Sequence, residues 1–260
     1  MPTALITGAS MGIGEQFARQ LAAKGYDLIL VARSTDKLQA IATDLTNQNQ
    51  ITAQIIAADL TEPQACQNIF NQVQTWGQSI DLLINNAGFG DYGEFSQSDG
   101  PKQTTMVQLN VQALVDLTHL FLPTMQARQS GQIINVASIA AFQSMPYVSV
   151  YAATKAFVLS FSTALWVETQ DQGIHVQCLC PGPTESNFGV VSGMDRVFSS
   201  GKSGPEIATA ASVVQESLVA LDRQQPIVVT SSLSNRLIAG MGKLLPQEVV
   251  AKMTAKIFQP

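Results

Sequence analysis

Charged residues are scarce in this chain, at 13% of 260, and they leave an acidic balance of −5. A nucleic-acid surface needs a basic patch, so that class of function is excluded. Three cysteines, Cys66, Cys178 and Cys180, give no disulfide framework. The two histidines, His119 and His175, join no cysteine cluster with zinc spacing, so no metal centre is expected. Apolar runs stay short of the roughly 20 residues that cross a bilayer. The N-terminus reads as a buried strand, Thr3-Ala4-Leu5-Ile6-Thr7, and not as a signal peptide. A reduced, cytoplasmic setting is the expectation.

What the chain has is core material, with 46% hydrophobic residues. Short apolar runs alternate with helical patterns, the mark of βαβ units and a parallel sheet. The spacing predicts strands at Ala4–Thr7, Leu28–Val31, Ala53–Ala57, Leu82–Ile84, Ile133–Val136, Val176–Cys180 and Ile227–Val229. Helical stretches are expected from near Ile13, Thr35, Pro63, Pro101, Tyr151 and Pro205. No repeat or linker divides the chain, so it reads as one doubly wound α/β domain over residues 1–232. Two regions break the rhythm. Residues 185–204 are dotted with glycine and serine and read as a lid. Residues 233–260 read as an extension of amphipathic helices, with Leu237, Met241, Leu244 and Leu245 on one face, then Val249, Val250, Met253 and Ile257.

After the first strand comes Thr7-Gly8-Ala9-Ser10-Met11-Gly12-Ile13-Gly14. Glycines in a strand-to-helix turn let backbone amides approach a pyrophosphate, and the helix N-terminus adds partial positive charge. Asn85-Asn86-Ala87-Gly88 ends the fourth strand and Ser138 the fifth. Tyr151-Ala152-Ala153-Thr154-Lys155 then sets a phenol and an ammonium on one helix face. An ammonium beside a phenol is expected to ease loss of its proton. Together these motifs resemble the short-chain dehydrogenase/reductase family over nearly the whole chain. The resemblance implies a Rossmann-type domain with about seven parallel strands and an oxidoreductase that moves hydride between NADP(H) and a carbonyl or secondary alcohol.

Hydride transfer to a ketone leaves negative charge on its oxygen, which a phenol and a hydroxyl oppose. Tyr151 is thus the candidate general acid and Ser138 the donor that orients the carbonyl. By resemblance Lys155 also holds the nicotinamide ribose, and Asn110 anchors a water leading to Lys155. The cofactor site takes in Gly8, Ser10, Met11, Gly12, Ile13 and Gly14, together with Tyr151 and Lys155. Resemblance adds Asp59 and Leu60 beside the adenine; Asn86, Ala87 and Gly88 along the cofactor; and Pro181, Gly182 and Thr184 at the nicotinamide. Plain alternatives stay open: Ser138 and Asp59 as caps, Asn110 as a mid-helix residue, Arg33 as a solvated cation. NADP is expected over NAD, because Ala32 stands where NAD-dependent members place an acid and Arg33, with Lys37 a turn later, suits a 2′-phosphate.

Apolar loop residues Phe89, Phe142, Met145, Val148 and Phe188 are the candidate substrate walls, joined by Val191, Met194 and Phe198, with Arg196 the one cation near them. They suit a lipophilic ketone or aldehyde. Homodimers or homotetramers are implied by resemblance, through outer helix residues such as Val107, Val111, Phe157 and Phe161. Two other readings remain open: an NADP-binding redox sensor without catalysis, and a reductase held at a membrane by its lysine-bearing tail. Packing of that tail on the body or on a second subunit is the preferred reading of it. His119 is expected packed in an apolar helix, His175 at the surface, and Cys178 and Cys180 as buried thiols on one side of a strand.

Overall fold

The computed structural model describes residues 1–185, 188–194, 207–230, 235–237, 239–240 and 246–259. Seven strands form one sheet: β1 Thr3–Thr7, β2 Asp27–Ala32, β3 Ala53–Ala57, β4 Leu82–Asn85, β5 Gly131–Val136, β6 Ile174–Cys180 and β7 Ile227–Val229. Their order is β3-β2-β1-β4-β5-β6-β7, and every pairing is parallel. The chain builds outward from β1 to β3, then returns to lay β4 on the other side of β1. That reversal opens a crevice at the carboxyl ends of β1 and β4, where ligands of such sheets bind.

Strand alternation sends neighbouring residues to opposite faces. Ala4 and Ile6 join one core with Phe17 and Leu21 of α1 (Gly12–Ala23), Leu38 and Leu45 of α2 (Thr35–Asn49), and Val213 and Leu218 of an α-helix over Ala210–Asp222. Leu5 joins the other, with Ile69 and Val73 of α3 (Ala65–Thr75) and helices further along the chain. Each fully buried leucine or isoleucine contributes about 1.5–3 kcal/mol, so both sheet faces are firmly covered.

Further helices among the described residues include α4 (Gly100–Val107), α5 (Ala113–Arg128), α6 (Ser149–Thr169), α7 (Phe188–Ser192), α8 (Ala210–Asp222) and α9 (Gln247–Phe258). A π-helical turn, Gln108–Gln112, joins α4 to α5 and has Asn110 at its centre. Helix α6, run on through Gln172, is long and apolar enough to cross a membrane by length and composition, contrary to the reading of short runs. Here it lies on the sheet, burying Tyr151, Lys155, Val158, Ser162 and Leu165.

Several local expectations need correction. Helix α3 starts at Ala65 and not near Pro63, because Gln64 takes a left-handed conformation at φ 63°. The helix expected from Pro205 appears as α8, capped by Thr209, whose hydroxyl accepts from the Ser212 amide at 3.1 Å. The buried stripe of α9 runs through Val250 and Thr254, while Val249 and Met253 face outward. Met241, Leu244, Leu245, Phe198, Arg196 and most of the expected lid lie outside the described residues, as does the Ile257 side chain. The histidines exchange roles. His119 is exposed, whereas His175 is buried at the head of β6, and burial lowers its pKa. Cys178 and Cys180 are both buried, with Sγ atoms 3.7 Å apart.

Candidate active site

The glycine turn is stitched to the end of β4. The Thr7 hydroxyl donates to the Ile84 carbonyl and accepts from the amides of Asn86 and Ala87, both at 3.0 Å. Asn86 Nδ2 donates to the carbonyls of Thr7 (2.9 Å) and Gly8 (3.3 Å). Asn86 therefore shapes the turn with its side chain. Gly8 and Gly12 hold φ values of +65° and +59°, which side chains with a Cβ rarely adopt. At Gly14 a Cβ would collide with the Gly8 carbonyl, so helix α1 can press against the turn only with glycine there. The Met11 side chain at the N-cap of α1 makes no capping hydrogen bond. A helix N-terminus beside a glycine cradle is what a pyrophosphate needs, so these residues fit a dinucleotide. Ser10 is half-buried and Met11 exposed in the same turn, and Ile13 packs on the core.

At the adenine end, β2 finishes at Ala32 with no carboxylate, and Arg33 follows with its side chain 81% exposed. Lys37 is exposed on the first turn of α2. The Arg33 guanidinium lies 3.8 Å from Asp59 Oδ2. Asp59 Oδ1 accepts from the Thr61 amide and hydroxyl, closing a tight turn well before α3, so Asp59 does not cap that helix. Burial alone would raise the Asp59 carboxyl, but the Thr61 hydrogen bonds and Arg33 hold it below its ordinary range. Leu60 packs beneath on the second core.

Ser138, Tyr151 and Lys155 meet at the carboxyl end of β5. The Ser138 hydroxyl accepts from the Ala140 amide at 3.1 Å, so Ser138 caps a turn, and it neighbours the Tyr151 phenol. Lys155 Nζ donates to the Val136 carbonyl at 2.8 Å and lies 5.7 Å from the centre of the Tyr151 ring. Burial pushes the Tyr151 phenol up to about 12, against the pull of the neighbouring Ser138 hydroxyl, and pushes Lys155 down to about 8. In the free chain the phenol is therefore not acidified, because a phenolate has almost no water in this site.

Asn110 is buried behind this group. Both its amide N–H groups are used, on the Phe89 carbonyl (2.9 Å) and the Thr154 hydroxyl (3.1 Å), and its Oδ1 accepts from the Phe89 amide. A Cβ at Gly88 would lie 2.8 Å from that Oδ1, too close for a side chain, and at an ordinary contact of 3.5 Å from Lys155 Nζ, so the Asn110 amide is what favours glycine there. Asn85 bonds Thr118 and Asn135 and joins β4 to its neighbours. Pro181 accepts from the Ile139 amide, and the Thr184 hydroxyl donates to the Gly182 carbonyl at 2.9 Å. A side chain at Gly182 would run into buried Asn235.

Of the five named substrate walls, Phe89, Met145 and Phe188 pack around Tyr151. Phe142 does not: it sits in a separate cluster with Leu114, Val158 and Cys178. Val148 is buried at 2% exposure where α6 begins, and its side chain is spent on packing. Among the secondary candidates Met194 is buried and Val191 exposed. Sequence reasoning missed Gly90, pressed between Phe188 and Tyr151, although it is the next glycine after Gly88. Helix α9 docks on the body, the reading preferred for the tail, through partners the sequence did not name. Thr254 donates to the Ser144 carbonyl (3.0 Å), Tyr92 to the Phe258 carbonyl (2.9 Å), and Gly93 to the Tyr147 carbonyl (2.8 Å). The tail thus clasps both loops that border Tyr151, contacts with no local sequence signal.

A doubly wound sheet with a glycine turn at its switch point, and a serine, tyrosine and lysine gathered beside that turn, defines a dinucleotide-binding class. The profile of the short chain dehydrogenases matches residues 2–195, and the chain belongs to the short-chain dehydrogenase/reductase family. It is 37% identical over 182 residues to a very-long-chain 3-oxoacyl-CoA reductase of Phaeosphaeria nodorum, covering 68% of this chain and 53% of that protein. The chain thus spans about half the length of that relative. It is 30% identical over 260 residues to 17-beta-hydroxysteroid dehydrogenase type 3 of Rattus norvegicus, covering 98% of this chain and 80% of the relative. Among solved structures it resembles a short-chain dehydrogenase from Sphingobium yanoikuyae in complex with NADPH, at a TM-score of 0.84 and 33% identity, over 94% of each chain.

Proposed function

We propose that this chain is an NADPH-dependent carbonyl reductase acting on a lipophilic ketone or aldehyde. The observation that carries the reading is the Tyr151 side chain, with Ser138 beside its phenol and Lys155 over its ring, at the mouth of a glycine turn built for a dinucleotide. NADP(H), when bound, supplies the hydride in reduction and accepts it in the reverse direction. Ser138 donates its hydroxyl to the substrate carbonyl and fixes its direction. Tyr151 then gives its proton to the oxygen as negative charge grows there. Lys155 serves as the cation beside the tyrosine and holds the ribose. A water near Asn110 would rest on backbone there, since both side-chain N–H groups are taken.

Arg33, exposed just after β2, and Lys37, exposed on the first turn of α2, support NADP over NAD, as does Ala32, which ends β2 without a carboxylate. The similar structure from Sphingobium yanoikuyae was solved with NADPH. The names of the relatives, an oxoacyl-CoA reductase and a hydroxysteroid dehydrogenase, agree with the apolar residues around Tyr151. Assembly into dimers or tetramers is supported by Val107, Phe157 and Val167, exposed on the outer faces of α4 and α6, and by the Phe157–Phe161 stack. The test of the reductase reading is cofactor oxidation across a panel of carbonyls, with NADPH and NADH in parallel. No oxidation with any carbonyl, despite NADPH binding, refutes it.

A further inference from the structure

Gly90 has no backbone reason to be glycine. It is absent from the residues with positive φ, so an alanine could adopt its conformation. Its missing side chain is explained by what fills the space. A Cβ there would lie 2.7 Å from Phe188 Cζ and 3.3 Å from Tyr151 Cδ2. The Phe188 ring leans over Tyr151 with centroids 5.2 Å apart and planes tilted by 50°. Met106, Ala152, Phe89 and Met145 belong to the same apolar cluster, and Tyr151 is left 9% exposed. Phe188 thus covers one side of the Tyr151 ring.

We propose that Gly90 is a specificity-determining residue: it forms a seat against Tyr151 for one flat apolar ring, held by Phe188 in the free protein and by a planar ring of the substrate during reaction. The inference rests on the reductase reading and narrows it to ketones carrying an aromatic or otherwise flat ring. Displacing Phe188 breaks an aromatic contact, and only a group of similar shape and face restores it. An extended acyl chain leaves part of the seat empty and recovers less. Phe188 is the movable partner, since it opens the short helix α7, and its ring end is the part nearest Gly90.

The test uses the full chain and two variants, Gly90→Ala and Phe188→Ala. The first places a methyl group in the seat and the second removes its occupant. Without any substrate, nitration by tetranitromethane, mapped by peptide mass spectrometry, reads how well Tyr151 is covered, with Tyr26 as the internal control. Uncovering that returns the phenol one pKa unit toward water raises its reactive fraction about tenfold. Tyr151 is therefore expected to nitrate about tenfold faster in both variants, with Tyr26 unchanged. Equal Tyr151 rates in all three proteins overturn the seat, whatever turnover shows.

The second arm compares acetophenone with 2-octanone, equal in carbon count and differing in flatness. The parent and Phe188→Ala are expected to favour acetophenone by about tenfold in kcat/KM, and Gly90→Ala to lose that preference. A parent that favours 2-octanone, or a preference that survives in Gly90→Ala, overturns the proposal. If the parent reduces neither ketone, the reductase reading is what suffers, and nitration decides the seat alone. If Gly90→Ala does not fold, Phe188→Ala decides through nitration.

Discussion

Asn110 grips both backbone groups of Phe89, donating from Nδ2 to its carbonyl at 2.9 Å and accepting at Oδ1 from its amide at 3.1 Å. One side-chain amide thus does for the loop after β4 what a neighbouring strand would do, and it works from inside a π-helical turn. Asn110→Ala would leave two backbone groups of Phe89 without partners, at a cost of about 1–3 kcal/mol for a buried polar group. Urea unfolding should show a drop in that range, with lower turnover because the loop also carries Gly88 and Gly90. A stability within about 0.5 kcal/mol of the parent, the scatter of inert surface changes, would remove this role.

Burial moves Lys155 and Tyr151 in opposite directions, and the two signs separate by pH. The folded chain binds the Lys155 proton less tightly than the unfolded chain does. The cost of the buried ammonium is therefore fully present below about 8 and is relieved as pH rises toward 10.5. The Tyr151 contribution is fully present below 10 and lost as pH climbs toward about 12. Lys155→Met removes only the first effect. The stability of the parent relative to Lys155→Met should rise by as much as about 3 kcal/mol between pH 7.5 and 10.5. The slope is the readout, because methionine also loses the bond to the Val136 carbonyl. A difference that stays constant over that range refutes the shift.

The fold was legible because the buried strands are continuous apolar runs, and Ala53–Ala57 and Ile227–Val229 match their expected bounds. The placing of Ser138, Tyr151 and Lys155 followed from the rule that ligands sit at strand ends. Three things were not legible. The phenol shift depends on how much water the fold excludes, which no spacing reports. His119 and His175 exchanged places because a helix that looks apolar still turns one face outward, and strand β6 begins deeper in the body than its flank suggests. Gly90 was passed over because its reason for being glycine is a ring contributed by residue 188, far away in sequence.

Cofactor choice should turn on Arg33. Its guanidinium is exposed and only 3.8 Å from Asp59, a loose pair that a 2′-phosphate can outcompete. A charge-assisted contact to phosphate contributes about 1.5–3 kcal/mol. Arg33→Ala should raise the NADPH dissociation constant by about tenfold or more and leave that of NADH nearly unchanged. Fluorescence titration with both cofactors checks it, and equal weakening means Arg33 does not read the phosphate.

The tail should act on substrate and leave the cofactor alone. Helix α9 is bonded to the loops bordering Tyr151 through Thr254 and Tyr92, and to nothing described around the glycine turn. Tyr92→Phe and Thr254→Val each remove one hydrogen bond of about 0.5–1.5 kcal/mol. Each should raise KM for the carbonyl about three- to tenfold, with NADPH affinity unchanged. A fall in NADPH affinity matching the rise in KM would show general loosening instead of positioned loops.

Proton donation is the most exposed part of the reading. Tyr151→Phe keeps the ring, its packing beneath Phe188 and its face toward Lys155, and removes only the hydroxyl beside Ser138. NADPH should bind within a few-fold of the parent, since the cofactor cradle is built by Gly8, Gly12, Gly14 and Asn86. Turnover should fall by at least about 100-fold, the lower range for loss of a positioned general acid. Ser138→Ala should also cut turnover with cofactor affinity intact, because its hydroxyl serves the substrate and the phenol. Lys155→Ala should weaken both, as the ammonium lies beside Gly88 on the cofactor side as well as over the phenol. Single-turnover measurements with saturating NADPH separate these three patterns. A Tyr151→Phe protein that reduces its carbonyl at the parent rate would mean that another group supplies the proton, and the assignment of Tyr151 would be withdrawn.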